Sequence, residues 1–377
     1  MSTLKVTNIE SPSGGGVNAK IADVNGGQLS NRRININGAM QLAQRGTSFT
    51  GVNATAFHMD RYQLYYQNSS AAFTVTQSTD TPNGFGNSLK IDVTTADSSI
   101  ASNEEIKLLH KIEGQDLQAV AKGTSVAKQL TLSFYVKATK TGTYIVELFD
   151  RDNSRDVSAS YTVSDTNWNR YTLTFPADTT GAFDDDNASS LEISWWLVAG
   201  SAVQTDPLNT TWRSTQDAGS ATGQVDFTDS TSNDWLITGI QLEVGDVATA
   251  FEHRSFGDEL ARCQRYYFRA VDGARDADHA IMSGGWYITT QFYGTMHFPV
   301  EMRTAPTLSY SANSNTSAFR AFGAGVSSST DDLATQQAGT TTYSIYLYNL
   351  GAQTAGQGGW AELNNESGAF IAFAAEL

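Results

Sequence analysis

The stretch Leu130-Thr131-Leu132-Ser133-Phe134-Tyr135-Val136-Lys137 alternates apolar and polar residues, and a period of two is compatible with one kind of element. Side chains along a strand point to opposite faces in turn. Leu130, Leu132, Phe134 and Val136 therefore share one face, and Thr131, Ser133, Tyr135 and Lys137 share the other, wetter one. Runs rich in β-branched and aromatic residues recur at 88–94, 129–138, 142–149, 158–163, 169–175, 191–199 and 234–242, separated by turn signals. Seven or more strands with no long helical stretch among them predict two antiparallel sheets packed face to face. The expected fold class is all-β, with an antiparallel jelly-roll β-sandwich over 34–255.

Composition limits the functions open to such a chain. Its 377 residues are 40% apolar and 17% charged, enough to bury a core and to form more than one domain. A net charge of −15 argues against nucleic acid as the main ligand, because phosphate affinity comes largely from counterion release by basic side chains. The single cysteine, Cys263, forms no internal disulfide and no cysteine zinc cluster. No apolar run approaches the roughly 20 residues of a membrane helix, and Met1-Ser-Thr-Leu-Lys-Val6 does not read as a signal peptide. The expectation is a soluble protein with no membrane insertion.

Three further segments flank or follow the sandwich. Residues 1–33 carry Ser13-Gly14-Gly15-Gly16 and Asn25-Gly26-Gly27 with almost no aromatics, so they read as an arm that docks elsewhere or a loose tail. Over 256–269 the period changes: Leu260, Cys263 and Tyr267 share one helix face, with Asp258 and Glu259 early and Arg262 and Arg265 late, as the helix dipole prefers. This predicts a short connector helix. Strand-like runs resume at 286–298, 307–311, 317–322, 342–349 and 368–374, which predicts a smaller C-terminal β domain over 270–377.

Several segments then fall in a familiar order: Ile36-Asn37-Gly38-Ala39-Met40-Gln41-Leu42-Ala43-Gln44-Arg45-Gly46-Thr47, Asp60-Arg61-Tyr62, the alternating 130–137 strand, Trp168-Asn169-Arg170-Tyr171-Thr172 and Ile237-Thr238-Gly239-Ile240-Gln241-Leu242-Glu243-Val244-Gly245. This order resembles jelly-roll domains of tailed-phage tail fibres and virion structural proteins, whose build is similar to carbohydrate-binding modules. Ala248-Thr249-Ala250-Phe251-Glu252-His253-Arg254, followed by the 259–267 segment, looks like the exit into a distal module, and 298–307 resembles a segment of fibre tip domains. The resemblance implies a virion protein made in the host cytoplasm. It implies a homotrimer whose N-terminal arm docks to other virion or tail proteins and whose distal domains contact host surface polysaccharide. The alternatives are a capsid decoration or tail-collar protein without a receptor role, and a carbohydrate-binding or degrading module.

Five scattered histidines and the absence of nucleophile-elbow, zinc-protease or phosphate-loop motifs give no signature of catalysis, so no enzyme is expected. Glycan-binding candidates are aromatic side chains that could offer a ring to a sugar's apolar face: Trp196, Trp212, Trp235, Tyr346 and Tyr348. In 191–199, alternation sends Trp195 and Trp196 to opposite faces, so one is core and the other faces an opposing layer, a neighbouring subunit or water. Tyr346 and Tyr348 share a face, with Tyr343 on the other. Asp184, Asp185 and Asp186 have the oxygen-rich chemistry a hard cation wants without the EF-hand spacing, and they are the calcium candidates beside the reading as a solvated turn.

Overall fold

The computed structural model describes residues 31–214, 218–274, 276–311 and 317–377. The predicted arm, 1–33, lies outside them except for its last three residues. Those three are packed as part of the body: the N–H groups of Asn31 and Arg33 donate to the Glu252 carboxylate at 2.9 and 3.0 Å, and the buried Arg33 pairs with Glu259.

Twelve strands build the body. They are β1 (Ser48–Val52), β2 (Ala56–Met59), β3 (Tyr62–Gln67), β4 (Ala72–Ser78), β5 (Ser88–Thr95) and β6 (Glu105–Glu113), then β7 (Leu130–Ala138), β8 (Gly142–Asp150), β9 (Arg155–Val163), β10 (Asn169–Phe175), β11 (Ser189–Ala199) and β12 (Asp234–Val244). They form two six-stranded antiparallel sheets, β1-β4-β5-β12-β7-β10 and β2-β3-β6-β11-β8-β9. This is the expected jelly-roll sandwich. All seven predicted runs are strands, while β1 to β4 and β6 add to them. β6 hides its period because Leu108, Leu109 and His110 are all buried in succession.

The core between the sheets holds Phe134, Trp195, Trp235, Leu132 and Ile237. On β7 the predicted apolar face is buried, but Thr131 and Ser133 on the wetter face are buried as well. Thr131 satisfies its hydroxyl by donating to the Gly245 carbonyl at 2.7 Å. The 34–42 segment pairs with β12 through Ile34 N–H to Leu242 O and Ile240 N–H to Gly38 O, both 2.9 Å. A Cβ at Gly38 would lie 2.1 Å from the Ile240 carbonyl oxygen, so this crossing requires glycine.

Helix α1 (Phe256–Gln264) is capped by Ser255, whose hydroxyl accepts from the Asp258 N–H at 3.2 Å. It ends before the predicted 269, because Tyr267 already opens the next strand. Ten strands follow: β13 (Tyr267–Asp272), β14 (Ala280–Ile288), β15 (Gln291–His297), β16 (Thr307–Ser311), β17 (Phe319–Gly323), β18 (Val326–Thr330), β19 (Leu333–Ala338), β20 (Thr342–Leu347), β21 (Gly358–Leu363) and β22 (Phe370–Ala374). They make a three-stranded sheet, β13-β22-β16, and a seven-stranded sheet, β18-β17-β21-β14-β15-β20-β19. A second core of Trp286, Phe292, Phe319, Ile345 and Phe373 lies within this domain. The single predicted run 286–298 is a hairpin, β14–β15. The strands β18 and β19 are almost all Ser, Thr, Gln and Ala, which is why they read as loops.

Candidate functional site

The seven-stranded sheet buries one face and exposes the other, and alternation decides which aromatic goes where. Trp286, Phe292, Ile345 and Leu347 point inward and are buried. Their neighbours Tyr287, Tyr293 and Tyr346 point outward from β14, β15 and β20. Tyr293 sits opposite Tyr346 across the β15–β20 pair, and their rings stack at 4.9 Å with planes 10° apart. Tyr287 extends the row on one side, 5.0 Å from Tyr293, and Tyr348 on the other, 5.6 Å from Tyr346. Four tyrosines thus form a ribbon across three strands. Asp332 beside Tyr348 pushes that phenol up, so it stays a neutral donor.

A second aromatic pair stands across the sheet, where Phe322 of β17 stacks on Trp360 of β21 at 4.7 Å and 10°. Half of the Trp360 surface is exposed. Between ribbon and pair the floor is glycine, Gly284 and Gly285 of β14 beside Gly358 and Gly359 of β21. A Cβ at Gly284 would lie 1.9 Å from the Tyr293 carbonyl oxygen, so β14 and β15 can approach this closely only with glycine there. An open recess of about 740 Å³ lies against the ribbon, lined by Ser283, Tyr293, Thr295, His297, Gln336 and Ser344. Stacked ring faces beside hydroxyl and amide groups can hold a ligand that is apolar on one face and rich in hydroxyls at its edge.

A smaller groove of about 490 Å³ runs over the outer face of β3, β6, β8 and β11, lined by Tyr65, Lys107, Glu147, Phe149, Arg151 and Glu192. Its charges largely pair with each other, Lys107 with Glu105 at 2.8 Å and Arg151 with Glu192 at 3.1 Å. Burial pushes the Glu147 carboxyl up to about 7, against the pull of Lys107.

Of the sequence candidates, Tyr346 and Tyr348 lie in the outward-facing ribbon, each half-buried. Trp196 and Trp235 need correction as glycan platforms, because both indoles are fully buried. Trp235 belongs to the sandwich core. Trp196 does leave that core, as alternation requires, but Val203, Leu208 and Ala221 from the segment after β11 close over it, and its N–H donates to Glu147 at 3.1 Å. Trp212 is half-buried against the core, with its N–H on the Pro176 carbonyl at 2.8 Å. Asp184, Asp185 and Asp186 are exposed. The Asp186 carboxylate accepts from the Ala188 N–H, and among the described residues no group of three or more acidic, His or Cys side chains is arranged to hold a metal. Tyr287, Tyr293 and Trp360 belong to the aromatic-dense distal segment of the sequence, whose rings either fill a core or bind saccharide, but neither they nor Phe322 are among its glycan-binding candidates. Tyr293 shares Tyr346's outward alternation, but the β15–β20 register that stacks them is not written in either strand alone.

No protein-family model matches the chain, and no curated protein sequence does. Among solved structures, the chain is similar to a CBM4 module at 11% identity, covering 55% of this chain and 97% of that one with a TM-score of 0.25. It is also similar to the CBM22-2 xylan-binding domain of Paenibacillus barcinonensis Xyn10C at 17% identity, covering 49% and 91% with a TM-score of 0.27. A third is the family 11 carbohydrate-binding module of Lic26A-Cel5E from Clostridium thermocellum, at 13% identity, covering 54% and 99% with a TM-score of 0.27. At TM-scores of this size these likenesses say nothing about the ligand of this chain.

Proposed function

We propose that the chain is a non-catalytic virion structural protein of a tailed phage, a homotrimeric tail fibre that docks by its N-terminal arm and contacts host surface glycan with its distal domain. The observation that carries the glycan reading is the tyrosine ribbon, Tyr287 exposed and the other three half-buried, beside the hydroxyl-lined recess on the seven-stranded sheet. The virion reading draws on the order of resembling segments from Ile36 to Thr307. Exposed Ile288, Tyr310 and Val326 on the distal domain supply apolar surface that sister copies can cover in part. Each glycan contact can be as weak as about 1 mM, near 4 kcal/mol, because three linked sites raise avidity by about 10² to 10⁴.

The test separates assembly from recognition. Light scattering on the purified chain should give a mass near three times 40.6 kDa. Binding to host lipopolysaccharide and capsular oligosaccharides should then weaken at least tenfold in Tyr293→Ala and Tyr346→Ala while the mass is unchanged. A mass that falls in these variants makes the ribbon a subunit interface and ends the glycan reading. A monomeric parent chain ends the fibre reading.

A further inference from the structure

A chain with a net charge of −15 gathers four arginines around one small recess. Arg32 and Arg33 come from the segment entering the body, Arg254 from the segment leaving it and Arg262 from α1, and all four line a space of about 140 Å³ walled by Ile34, Ala119 and Val244. Two of these side chains are already committed. Arg33 pairs with Glu259, and Arg254 lies 3.5 Å from the same carboxylate while donating to the carbonyls of Asn35 and Arg33. The other two are less committed: neither the Arg32 nor the exposed Arg262 side chain makes a salt bridge or hydrogen bond among the described residues, although the Arg32 N–H donates to Glu252 and the charges of Glu252 and Asp116 act on them, and the Arg32 Nε is buried without an acceptor. Nε and Nη1 of the buried Arg33 are also without partners.

The acids nearby fall short of neutralising this charge. Glu252 spends its oxygens on the N–H groups of Asn31 and Arg33, and Glu259 on Arg33, Arg254 and the Asn37 N–H. Asp116 is the remaining carboxylate at the recess. Burial lowers the Arg254 guanidinium to about 10, and the positive charge of Arg33 adds to the effect. A guanidinium satisfies its fork best with a planar or tetrahedral oxyanion, and apolar walls strengthen such charge-assisted bonds. Liquid water takes about 30 Å³ per molecule, so the recess has room for a few waters or one small anion. An oligosaccharide does not fit.

We propose that this recess binds a small oxyanion, phosphate- or carboxylate-like, through Arg32 and Arg262 with Arg254 behind them. The site is separate from the tyrosine ribbon and independent of the glycan reading. Two sources share this chemistry, a free phosphate-type ion and an acidic side chain of another polypeptide.

The experiment titrates the full-length protein with inorganic phosphate and, separately, with N-acetyl-aspartate amide, each against sodium chloride at matched ionic strength. Calorimetry and the melting temperature are the readouts, because a ligand of the native state raises stability with its concentration. Saturable binding in the millimolar range or tighter, weakened at least tenfold in Arg32→Ala/Arg262→Ala and unchanged in Lys137→Ala, is the expected result. A response to phosphate assigns a free ion, and a response to the aspartate derivative alone assigns a polypeptide carboxylate. The double variant must keep the parent's circular dichroism. Should it unfold, charge-neutral Arg32→Gln and Arg262→Gln single variants replace it. No saturable response to either probe, or equal responses in parent and variants, overturns the proposal.

Discussion

At the residue scale Lys122 is a buried charge held on every side. Its ammonium is buried in a cage of oxygens: carboxylates of Asp150 and Asp178, and the carbonyls of Thr180 at 3.0 Å and Gly181 at 2.8 Å. Phe183 and Trp212 lie just over 5 Å away. A protein cation thus fills the place where two acids and two carbonyls would otherwise attract one, next to the 184–186 turn that the sequence offered for calcium. Lys122→Met should cost about 3–5 kcal/mol in urea denaturation, the range for orphaning a buried charge partner, whereas replacing all the partners together with apolar residues can be far cheaper. A loss under 1 kcal/mol would show that the cage relaxes around its acids.

Glu147 adds a pH dependence of unusual sign. Its folded value of about 7 lies above the 4.5 of an ordinary glutamate, chiefly through burial, with Asp156 and Glu192 adding repulsion and Lys107 and the Trp196 N–H opposing it. The folded state therefore holds the proton more tightly than the unfolded one. The contribution is fully present below about 4.5 and is lost as pH rises through 7, at most about 3 kcal/mol in all. Asp60, raised to about 6 mainly by burial, acts in the same direction. The buried His58 and His110, held below the ordinary histidine value, oppose this trend in the parent between pH 5 and 7, so the clean readout is the difference: Glu147→Gln should gain melting temperature relative to the parent as pH rises from 5 to 8 and exceed it at pH 8. A variant that melts below the parent at both pH values would contradict this.

At the scale of elements, legibility followed the source of burial. β10 buries alternate side chains with a period of two, whereas β7, β8 and β12 are buried on both faces and were readable from their β-branched and aromatic residues. Trp196 was not, because its cover arrives from 203–221, a polar stretch with no periodic pattern. The ribbon was half readable. Alternation gave Tyr346 and Tyr348 a common face, but Tyr293 meets Tyr346 only through a register set by the neighbouring strands. The glycine floor was silent for a related reason, since a glycine's close contact lies on another strand. Gly284→Ala should place a Cβ against the Tyr293 carbonyl and destabilise the distal sheet by about 1–3 kcal/mol or more. Thermal melting followed by tyrosine fluorescence checks it, and an unchanged melt would mean that β14 and β15 can slide apart without loss.

At the scale of the whole molecule, two cores are joined through a third, small cluster in which Ile36 and Leu42 of the body meet Cys263 and Tyr266. Around it the junction is ionic. Glu113 of β6 accepts from Arg265, at 2.9 and 2.8 Å, and from the Tyr266 hydroxyl. Glu376, just past β22, pairs with the buried Arg61 and with Arg45 at 3.0 Å, and Arg303 donates to the Ala375 and Glu376 carbonyls at 2.8 and 3.0 Å. Arg61 also stacks 3.4 Å over Tyr266 and donates to the Lys111 carbonyl. A guanidinium so enclosed cannot reach water when its carboxylate is removed, so Glu376→Ala should cost about 3–5 kcal/mol. That cost falls on the contact between the domains and not on either core. The parent should therefore unfold in one calorimetric transition, with both cores coupled through the junction. Glu376→Ala should unfold in two, with the distal domain melting at the lower temperature. Two transitions already in the parent, or a single lowered one in the variant, would mean that the domains are coupled by something other than this ion pair.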